Sequence, residues 1–151
     1  MKPWAEMGER ERDALIATEV MGWVRATWKE SHARRAERCW FLRDPSDPNR
    51  LPFDEVWEIA PEDFTPYVDY AASVPRYTTS IASAREVWTK MHDDGWDMTL
   101  RVLTPGYAAT FEWYAPSSNP GKTGFAAVDP RDGNEALAIC LAALRAKGVE
   151  V

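Results

Sequence analysis

Basic and aromatic residues are interspersed between positions 25 and 43 of the chain. The basic residues are Arg25, Lys29, Arg34, Arg35, Arg38 and Arg43, and the aromatic residues among them are Trp28, Trp40 and Phe41. Guanidinium groups bind phosphate through paired hydrogen bonds, and aromatic rings stack on nucleobases. Arg35, Arg38 and Trp40 are therefore our first candidates for contacts with an anionic or nucleotide ligand. The alternative is that these arginines form ion pairs with an acidic cluster further along the chain.

That acidic cluster is formed by Asp54, Glu55, Glu58, Glu62 and Asp63. Neighbouring carboxylates can act as general acid and base or can bind a divalent cation, so the cluster keeps a metal-assisted enzyme among the hypotheses. A charge run of this kind is more often a solvent-exposed face.

A second group of candidates lies around the predicted second helix and the first of three predicted strands. Arg76 and Tyr77 directly precede the helix, and Arg101 lies on the strand face opposite Leu100 and Val102. If that end of the sheet is open, Arg76, Tyr77 and Arg101 line a pocket. The alternative for Arg101 is a cross-strand ion pair with Glu112 on the next strand.

A glycine-containing turn, Gly121-Lys-Thr-Gly124, supplies one further cation. In a phosphate-binding loop of the Walker type, the glycine before the lysine follows another glycine by five positions. Here the glycine before Lys122 is Gly121, and Pro116 occupies the position of the first glycine. We therefore reject nucleotide hydrolysis here and keep Lys122 only as an exposed charge for a phosphate.

No combination of residues predicts a catalytic or metal centre. His92-Asp93-Asp94 fits the solvated end of a helix, and Cys140 fits the apolar face of the last helix as a small core residue. Cys39 has no histidine-based pair that would activate it. We predict a protein that is not an enzyme and that needs no metal and no cofactor.

Composition limits the classes of partner. The 151 residues include 18 Lys and Arg against 24 Asp and Glu, which gives a formal net charge of −6. An acidic chain has little non-specific affinity for nucleic acid, so stable DNA or RNA binding is not expected. The chain shows no 18-residue apolar run and no signal-peptide core, and its two cysteines favour a reducing compartment. These features predict a cytoplasmic protein without a membrane span.

The elements that must position these residues follow from hydrophobic periodicity and turn signals. We predict a single domain over 1–151, with the order helix, irregular segment, helix, three strands, helix. The ranges are helix 9–28, a Pro- and Trp-rich irregular segment 29–79, helix 80–94, strands 96–103, 107–114 and 124–128, and helix 134–147. Cys39–Leu42 is expected as an edge strand. The predicted fold is α+β, an antiparallel sheet of three to five strands with helices on both faces, an α/β/α sandwich.

Several of these segments resemble the phage ABA sandwich domain, a family of small phage and prophage proteins. The similar pieces are Val20–Trp23, Tyr77–Trp88 and Ala136–Ala146 in the same order. The resemblance implies an antiparallel sheet between helices, a phage origin and action inside the bacterial cell. A weaker similarity, of size and layout only, links the chain to the phage Thoeris anti-defence sponges, which sequester nucleotide signals without cleaving them.

The predicted function is binding without turnover. Its sharpest form is a homo-oligomeric anti-defence sponge that buries the phosphate of a nucleotide-derived immune signal against arginines and its base against aromatic rings. The eight tryptophans support a subunit interface near the pocket, and they fit an aromatic core equally well. The alternative is a protein-interaction module that binds and blocks a host defence protein or enzyme.

Overall fold

The computed structural model describes residues 2–28, 38–42, 57–59, 67–68, 74–113 and 123–151. The chain divides into two compact units, one formed by Met1–Met21 with Pro75–Val151 and the other by Gly22–Val74. We call them the first and the second unit. A single domain is expected from the sequence, so this division is a difference between prediction and structure. It coincides approximately with the proline-rich segment.

The first helix is shorter than predicted. A single 3-10 turn at Trp4–Glu6 is followed by α1, which spans Glu9–Glu19. The chain then turns at Gly22, whose φ of 73° is costly for other residues, and Val24–Trp28 forms strand β1. The predicted helix 9–28 is therefore wrong beyond Glu19. Three of the five residues in this strand, Val24, Thr27 and Trp28, favour strands. The prediction gave more weight to the helical spacing of the apolar residues than to this strand propensity.

The second unit contains a four-stranded sheet that was not predicted as such. Its strands are β1, β2 at Arg38–Leu42, β3 at Trp57–Ile59 and β4 at Tyr67–Val68, in the order β3-β1-β2-β4. The β2–β4 pair is parallel and the other pairs are antiparallel. Cys39–Leu42 is indeed in a strand, but β2 lies between two others and is not at an edge.

Helix α2 follows the prediction closely. It spans Ile81–Asp93, and the Ser80 side chain accepts a hydrogen bond from the backbone N–H of Ser83 (3.4 Å). Gly95, with a φ of 96°, ends the helix as expected. The helical spacing of the apolar residues predicts a buried stripe of Ile81, Ala84, Val87, Trp88 and Met91. In the structure Ala84, Val87 and Met91 are buried, but Ile81 and Trp88 are exposed.

Three antiparallel strands form the sheet of the first unit. They are β5 at Trp96–Leu103, β6 at Gly106–Trp113 and β7 at Thr123–Val128, in the order β5-β6-β7. Register places Trp96 opposite Trp113, and their rings meet edge to face with centroids 5.0 Å apart. The predicted α+β fold with a three-stranded antiparallel sheet is confirmed.

Helix α3, at Glu135–Ala146, is the centre of the first unit. It is buried at every position from Ala136 to Leu144, as expected for a helix that is apolar on all sides. Its N-cap is Asn134, whose side chain accepts from the N–H of Ala136 (3.0 Å). The spacing of Asp132 and Glu135 in the sequence resembles a capping box with Asp132 as the N-cap. That box does not form, because the N-cap is Asn134, two residues later.

The helices pack on the apolar face of the sheet. α3 lies against β6 and β7 and crosses β7 at Gly124, where a Cβ atom would overlap the backbone of Ala142 and Ala146. α2 packs against α3 and β5. The opposite face carries exposed side chains at Asp97, Thr99, Arg101, Glu112 and Thr123. Helical cover on that second face stays a prediction. None of the helices in the described ranges is long and apolar enough to span a membrane.

Candidate functional site

Tyr77, a predicted ligand contact, lies in the core of the first unit. Its side chain is 0% exposed. Its backbone carbonyl accepts a hydrogen bond from the Cys140 thiol (3.3 Å), and its N–H donates to the carbonyl of Pro75 (3.0 Å). A ring without exposed surface presents no face to a ligand from solvent. The prediction that Tyr77 lines an open pocket is therefore wrong, because the segment before α2 turns inward to reach α3.

Arg76 and Arg101 are both exposed, and the structure does not place them in one pocket with Tyr77. Arg101 lies on the sheet face that points away from α2 and α3. Register puts it opposite Ala108, while Glu112 lies opposite Asp97. The alternative prediction of an Arg101–Glu112 ion pair is therefore also wrong, since the two residues are four positions apart along the ladder.

Four other candidates fall partly or wholly outside the described residues. Lys122 and Arg35 lie outside them altogether. Arg38 and Trp40 lie on β2, where the backbone pairs with Tyr67 and Ala26 respectively, and their side chains are outside the description. Of the acidic cluster, only Glu58 falls on a described strand, β3. The ligand roles of these residues stay predictions.

Cys140 is the buried core residue that its helical position predicts. Burial raises the pKa of its thiol well above the usual value, and the nearby Asp13 carboxylate raises it further. A thiol of this kind stays protonated at neutral pH and is a poor nucleophile. Within the described ranges, no three His, Cys, Asp or Glu side chains lie close enough to hold a metal ion.

A buried carboxylate joins α1 to the segment before α2. Asp13 is 1% exposed, and its Oδ1 accepts from both the backbone N–H and the hydroxyl of Thr78 (2.8 Å each). Its Oδ2 accepts from Nη1 of Arg10 (2.6 Å). Both carboxylate oxygens are occupied and solvent is excluded, so Asp13 serves the fold. The sequence by itself indicates only that Asp13 is an acidic residue near the start of a helix, and it does not indicate the contact with Thr78.

The solvent-facing side of α2 combines the groups that bind anionic aromatic ligands. A groove of about 440 Å³ is lined by Arg85, Trp88, Thr89 and His92. These positions follow one another at i, i+3, i+4 and i+7, which places them on one face of the helix. All four are exposed, and the Trp88 side chain retains 41% of its accessible surface. We call these four residues the α2 stripe.

The α2 stripe has chemistry that the individual residues lack. An indole ring stacks on a planar base, and a guanidinium group three residues away binds phosphate in a forked geometry. Thr89 adds a hydroxyl, and His92 adds a ring nitrogen that can donate or accept. A volume of this size falls in the range of small-molecule sites, which are mostly apolar with a few polar groups.

A second groove, of about 290 Å³, lies where the first turns of α1 and α3 meet the start of α2. Its lining comprises Glu9, Arg12, Thr78, Thr79, Pro130, Asp132, Gly133, Asn134 and Leu137. Arg12 is already engaged, because Nη2 donates to the Trp4 carbonyl (3.2 Å) and its guanidinium lies 5.0 Å from the centre of the Trp4 ring. The carboxylates of Glu9 and Asp132 oppose an anion. This groove is the weaker candidate for an anionic ligand.

The α2 stripe was missed in the sequence because Trp88 was assigned to the buried face. At about 100° per residue, Ala84, Val87 and Met91 define a narrow stripe, and Trp88 and Ile81 lie at its margin. The polar residues Arg85 and His92 indicate that Trp88 lies on the surface, because they are three residues before it and four residues after it, on the same side of the helix. An aromatic residue flanked at i−3 and i+4 by such groups indicates an exposed face.

Comparison with known proteins adds no relative: no family model matches the chain, and no curated sequence or solved structure shows significant similarity to it.

Proposed function

We propose that this is a non-enzymatic binding protein that holds a nucleotide-like ligand on the α2 stripe. The observation that carries the proposal is the exposed Trp88 ring with Arg85 at i−3 and His92 at i+4 in one groove. Base stacking and phosphate binding need these two groups at neighbouring positions. The predicted contacts Arg76 and Arg101 lie elsewhere, so the proposal rests on different residues from those that the sequence suggested.

Binding proceeds without a chemical step. The base of the ligand stacks on Trp88, its phosphate pairs with Arg85, and Thr89 and His92 offer hydrogen bonds to the sugar or the base edge. His92 lies in the last turn of α2 and is exposed, so its ring nitrogens can reach a ligand that stacks on Trp88. The mechanism is stoichiometric sequestration, and the ligand is released unchanged.

The resemblance to the phage ABA sandwich domain implies a phage origin, and the weaker similarity of size and layout to the Thoeris anti-defence sponges suggests the biological setting. A phage protein that sequesters a nucleotide-derived immune signal in the cytoplasm of an infected bacterium removes that signal from its receptor. Such a sponge acts in stoichiometric amounts, and a homo-oligomer that presents several copies of the α2 stripe suits that role. Arg35, Arg38, Trp40 and Lys122 remain candidates for additional contacts.

One observation favours a second candidate function, a protein-interaction module. Ile81 retains 43% of its accessible surface and lies seven residues before Trp88, on the same side of α2. Apolar anchors two turns apart, with an arginine between them, are typical of helix faces that dock onto proteins. In this case the module binds and blocks a host protein.

Thermal denaturation with a panel of mono-, di- and cyclic nucleotides tests the proposal. A ligand present at 100 times its Kd stabilises the folded state by about 2.7 kcal/mol, which raises Tm measurably. We expect a shift with the wild-type chain and none with Trp88→Ala or Arg85→Ala. Arg131→Ala removes an exposed arginine from the β7–α3 loop and is the matched control, since its shift should equal that of the wild type.

Mass spectrometry of the released ligand distinguishes the alternatives. Recovery of the intact nucleotide after denaturation supports sequestration. A converted nucleotide identifies an enzyme and contradicts the proposal. Absence of any nucleotide shift, together with a stable protein partner that is lost in Ile81→Asp and Trp88→Ala, favours the interaction module.

A further inference from the structure

Strand β5 is an outer strand of the three-stranded sheet. In the ranges that the structure describes, β5 pairs with β6 along one side and no strand pairs along its other side. The strand is eight residues long, and all positions from Thr99 to Leu103 are exposed. Val102 retains 78% of its accessible surface. A long outer strand with exposed apolar residues is a template for strand addition.

The opposite outer strand, β7, is occupied by a side chain of α3. Nη1 of Arg145 donates to the backbone carbonyl of Phe125 (2.8 Å), at the middle of β7. This bond places a guanidinium group where another strand would have to approach. The two outer strands therefore differ: β7 carries a bound side chain at its backbone, and β5 carries none among the described residues.

The charges of β5 match a second copy of the same strand. Asp97 and Arg101 lie on the same face, and Thr99 lies midway between them. When two copies of β5 pair antiparallel about Thr99, Asp97 of each copy lies directly opposite Arg101 of the other. Shifting the centre by one residue in either direction places Asp97 opposite Thr99 or Leu103 and forms no ion pair. Charge complementarity thus selects one register.

Contacts already present in the monomer favour the same arrangement. Asp97 lies directly opposite Glu112 on β6, and two carboxylates at such a position repel each other. The guanidinium group of a second copy's Arg101 would lie beside Asp97 and compensate this repulsion. On the other face, the same register sets Val102 opposite Trp96 and Leu100 opposite Met98, which covers the most exposed apolar residue of the strand.

We propose that β5 is a self-association edge, at which two copies of this chain form a continuous six-stranded antiparallel sheet centred on Thr99. Charged residues on outer strands commonly prevent pairing. Here the two charges are opposite in sign and symmetrically spaced about Thr99, so in an antiparallel pair each is complementary to the charge on a second β5. The inference concerns the sheet edge and is independent of the ligand proposed for α2.

A charge-reversal cycle tests the interface by sedimentation of the full-length chain across micromolar concentrations. We expect the wild type to form a species of twice the chain mass of 17.1 kDa. In Arg101→Asp or Asp97→Arg alone, both symmetric attractions become repulsions, and the dimer should weaken by about tenfold. The double variant Asp97→Arg with Arg101→Asp restores opposite charges at every pair and should recover dimerisation.

Arg131→Asp is the matched control, because it changes the net charge as much as Arg101→Asp does at an exposed loop position. It should leave the dimer intact. Thr99→Cys gives a second readout, since the two thiols meet at the symmetry axis and should form an intermolecular disulfide under mild oxidation. Ala127→Cys, an exposed position on β7, should cross-link no more than the wild type. A monomeric wild type, or a dimer insensitive to single reversal and not restored by the double, would overturn the inference.

Discussion

Helices α2 and α3 lie next to each other in the first unit, yet they are held in different ways. α3 is buried along almost its whole length and packs through apolar side chains against the sheet. α2 buries only a narrow stripe, and polar contacts fix it at both ends. Asp13 holds the segment before it, Ser80 caps its start, and Asp94 pairs with lysines at its end.

This difference indicates where function can be located. The side chains of α3 from Ala136 to Leu144 are all buried, so a substitution there acts on stability. The outer face of α2 is exposed to solvent, and that face carries Arg85, Trp88 and His92. A helix held by its ends leaves its exposed side chains free to bind a ligand.

We expect Leu144→Ala, in α3, to cause the largest loss of stability. Leu144 is fully buried, and its truncation leaves a cavity at the centre of the unit. We expect a loss of about 3 to 4 kcal/mol in the free energy of unfolding, measured by urea denaturation. Trp88→Ala is the counterpart on α2 and should cost about 1 kcal/mol, despite the larger side chain. Equal losses for the two variants would contradict the division between packing and binding helices.

Asp13→Ala tests the polar anchor before α2. It leaves Arg10 without this carboxylate and removes the acceptor for the buried N–H and hydroxyl of Thr78, so we expect a loss of about 3 kcal/mol. Asp13→Asn keeps an oxygen for Thr78 and should lose less. If the two variants are equally unstable in chemical denaturation, the hydrogen bonds to Thr78 contribute little.

Gly124→Ala probes the crossing of α3 over β7. The added methyl group meets the backbone of Ala142 and Ala146, which cannot rotate away, and the expected cost is about 2 to 3 kcal/mol. Ala127→Val enlarges an exposed residue of the same strand and should change Tm little. A tolerated Gly124→Ala would contradict this close approach of α3 to β7.

Ser80→Ala removes the N-cap of α2. Substitution of a capping hydroxyl usually costs about 1 kcal/mol, and we expect that value from thermal and urea unfolding. Ser83→Ala, one turn into the helix, is the matched control and should be close to neutral. A loss as small as that of the control would mean that Asp13, and not the cap, fixes the start of α2.

Asp94→Asn should have the smallest effect, and it depends on pH. Partial burial alone would raise the pKa of Asp94, but hydrogen bonds from Lys90 and Lys147 outweigh it, so the pKa lies below its usual value. A lowered folded-state pKa stabilises the protein above the unfolded-state pKa, and this stabilisation is lost as pH falls through the folded-state pKa. Both ion pairs of Asp94 are partly exposed and therefore screened by solvent, so we expect Asp94→Asn to cost less than about 1 kcal/mol at neutral pH. Wild type and variant should converge below about pH 4, and a constant difference down to pH 2 would exclude this ion-pair account.

Much of the first unit is readable from the sequence. The spacing of Ala84, Val87 and Met91, the cap at Ser80 and the glycine at 95 define α2, and alternation with a Pro-Gly turn defines β5 and β6. These signals arise from residues within one or two turns of each other, so local physics is sufficient. The same reasoning failed at Val24–Trp28, where helix spacing and strand propensity compete and pairing with β2 and β3 selects the strand.

The candidate site was less accessible to sequence reasoning. Arg76, Tyr77 and Arg101 were chosen by proximity along the predicted elements, but Tyr77 is buried under α3 and Arg101 points away from both helices. Trp88, assigned to the core, is half-exposed. A residue at the border between the buried and the exposed face of a helix, such as Trp88, is covered only if another element packs over it. The elements that pack nearby come from distant parts of the chain.

The sequence by itself determines that this protein has α2, α3 and a three-stranded meander, because hydrophobic period, caps and turns act over a few residues. The tertiary structure alone decides that α3 occupies the centre, that Asp13 reaches Thr78 across 65 positions of sequence, and that the outer face of α2 and the edge of β5 remain exposed. Burial is a property of the assembled elements, and no local pattern specifies it.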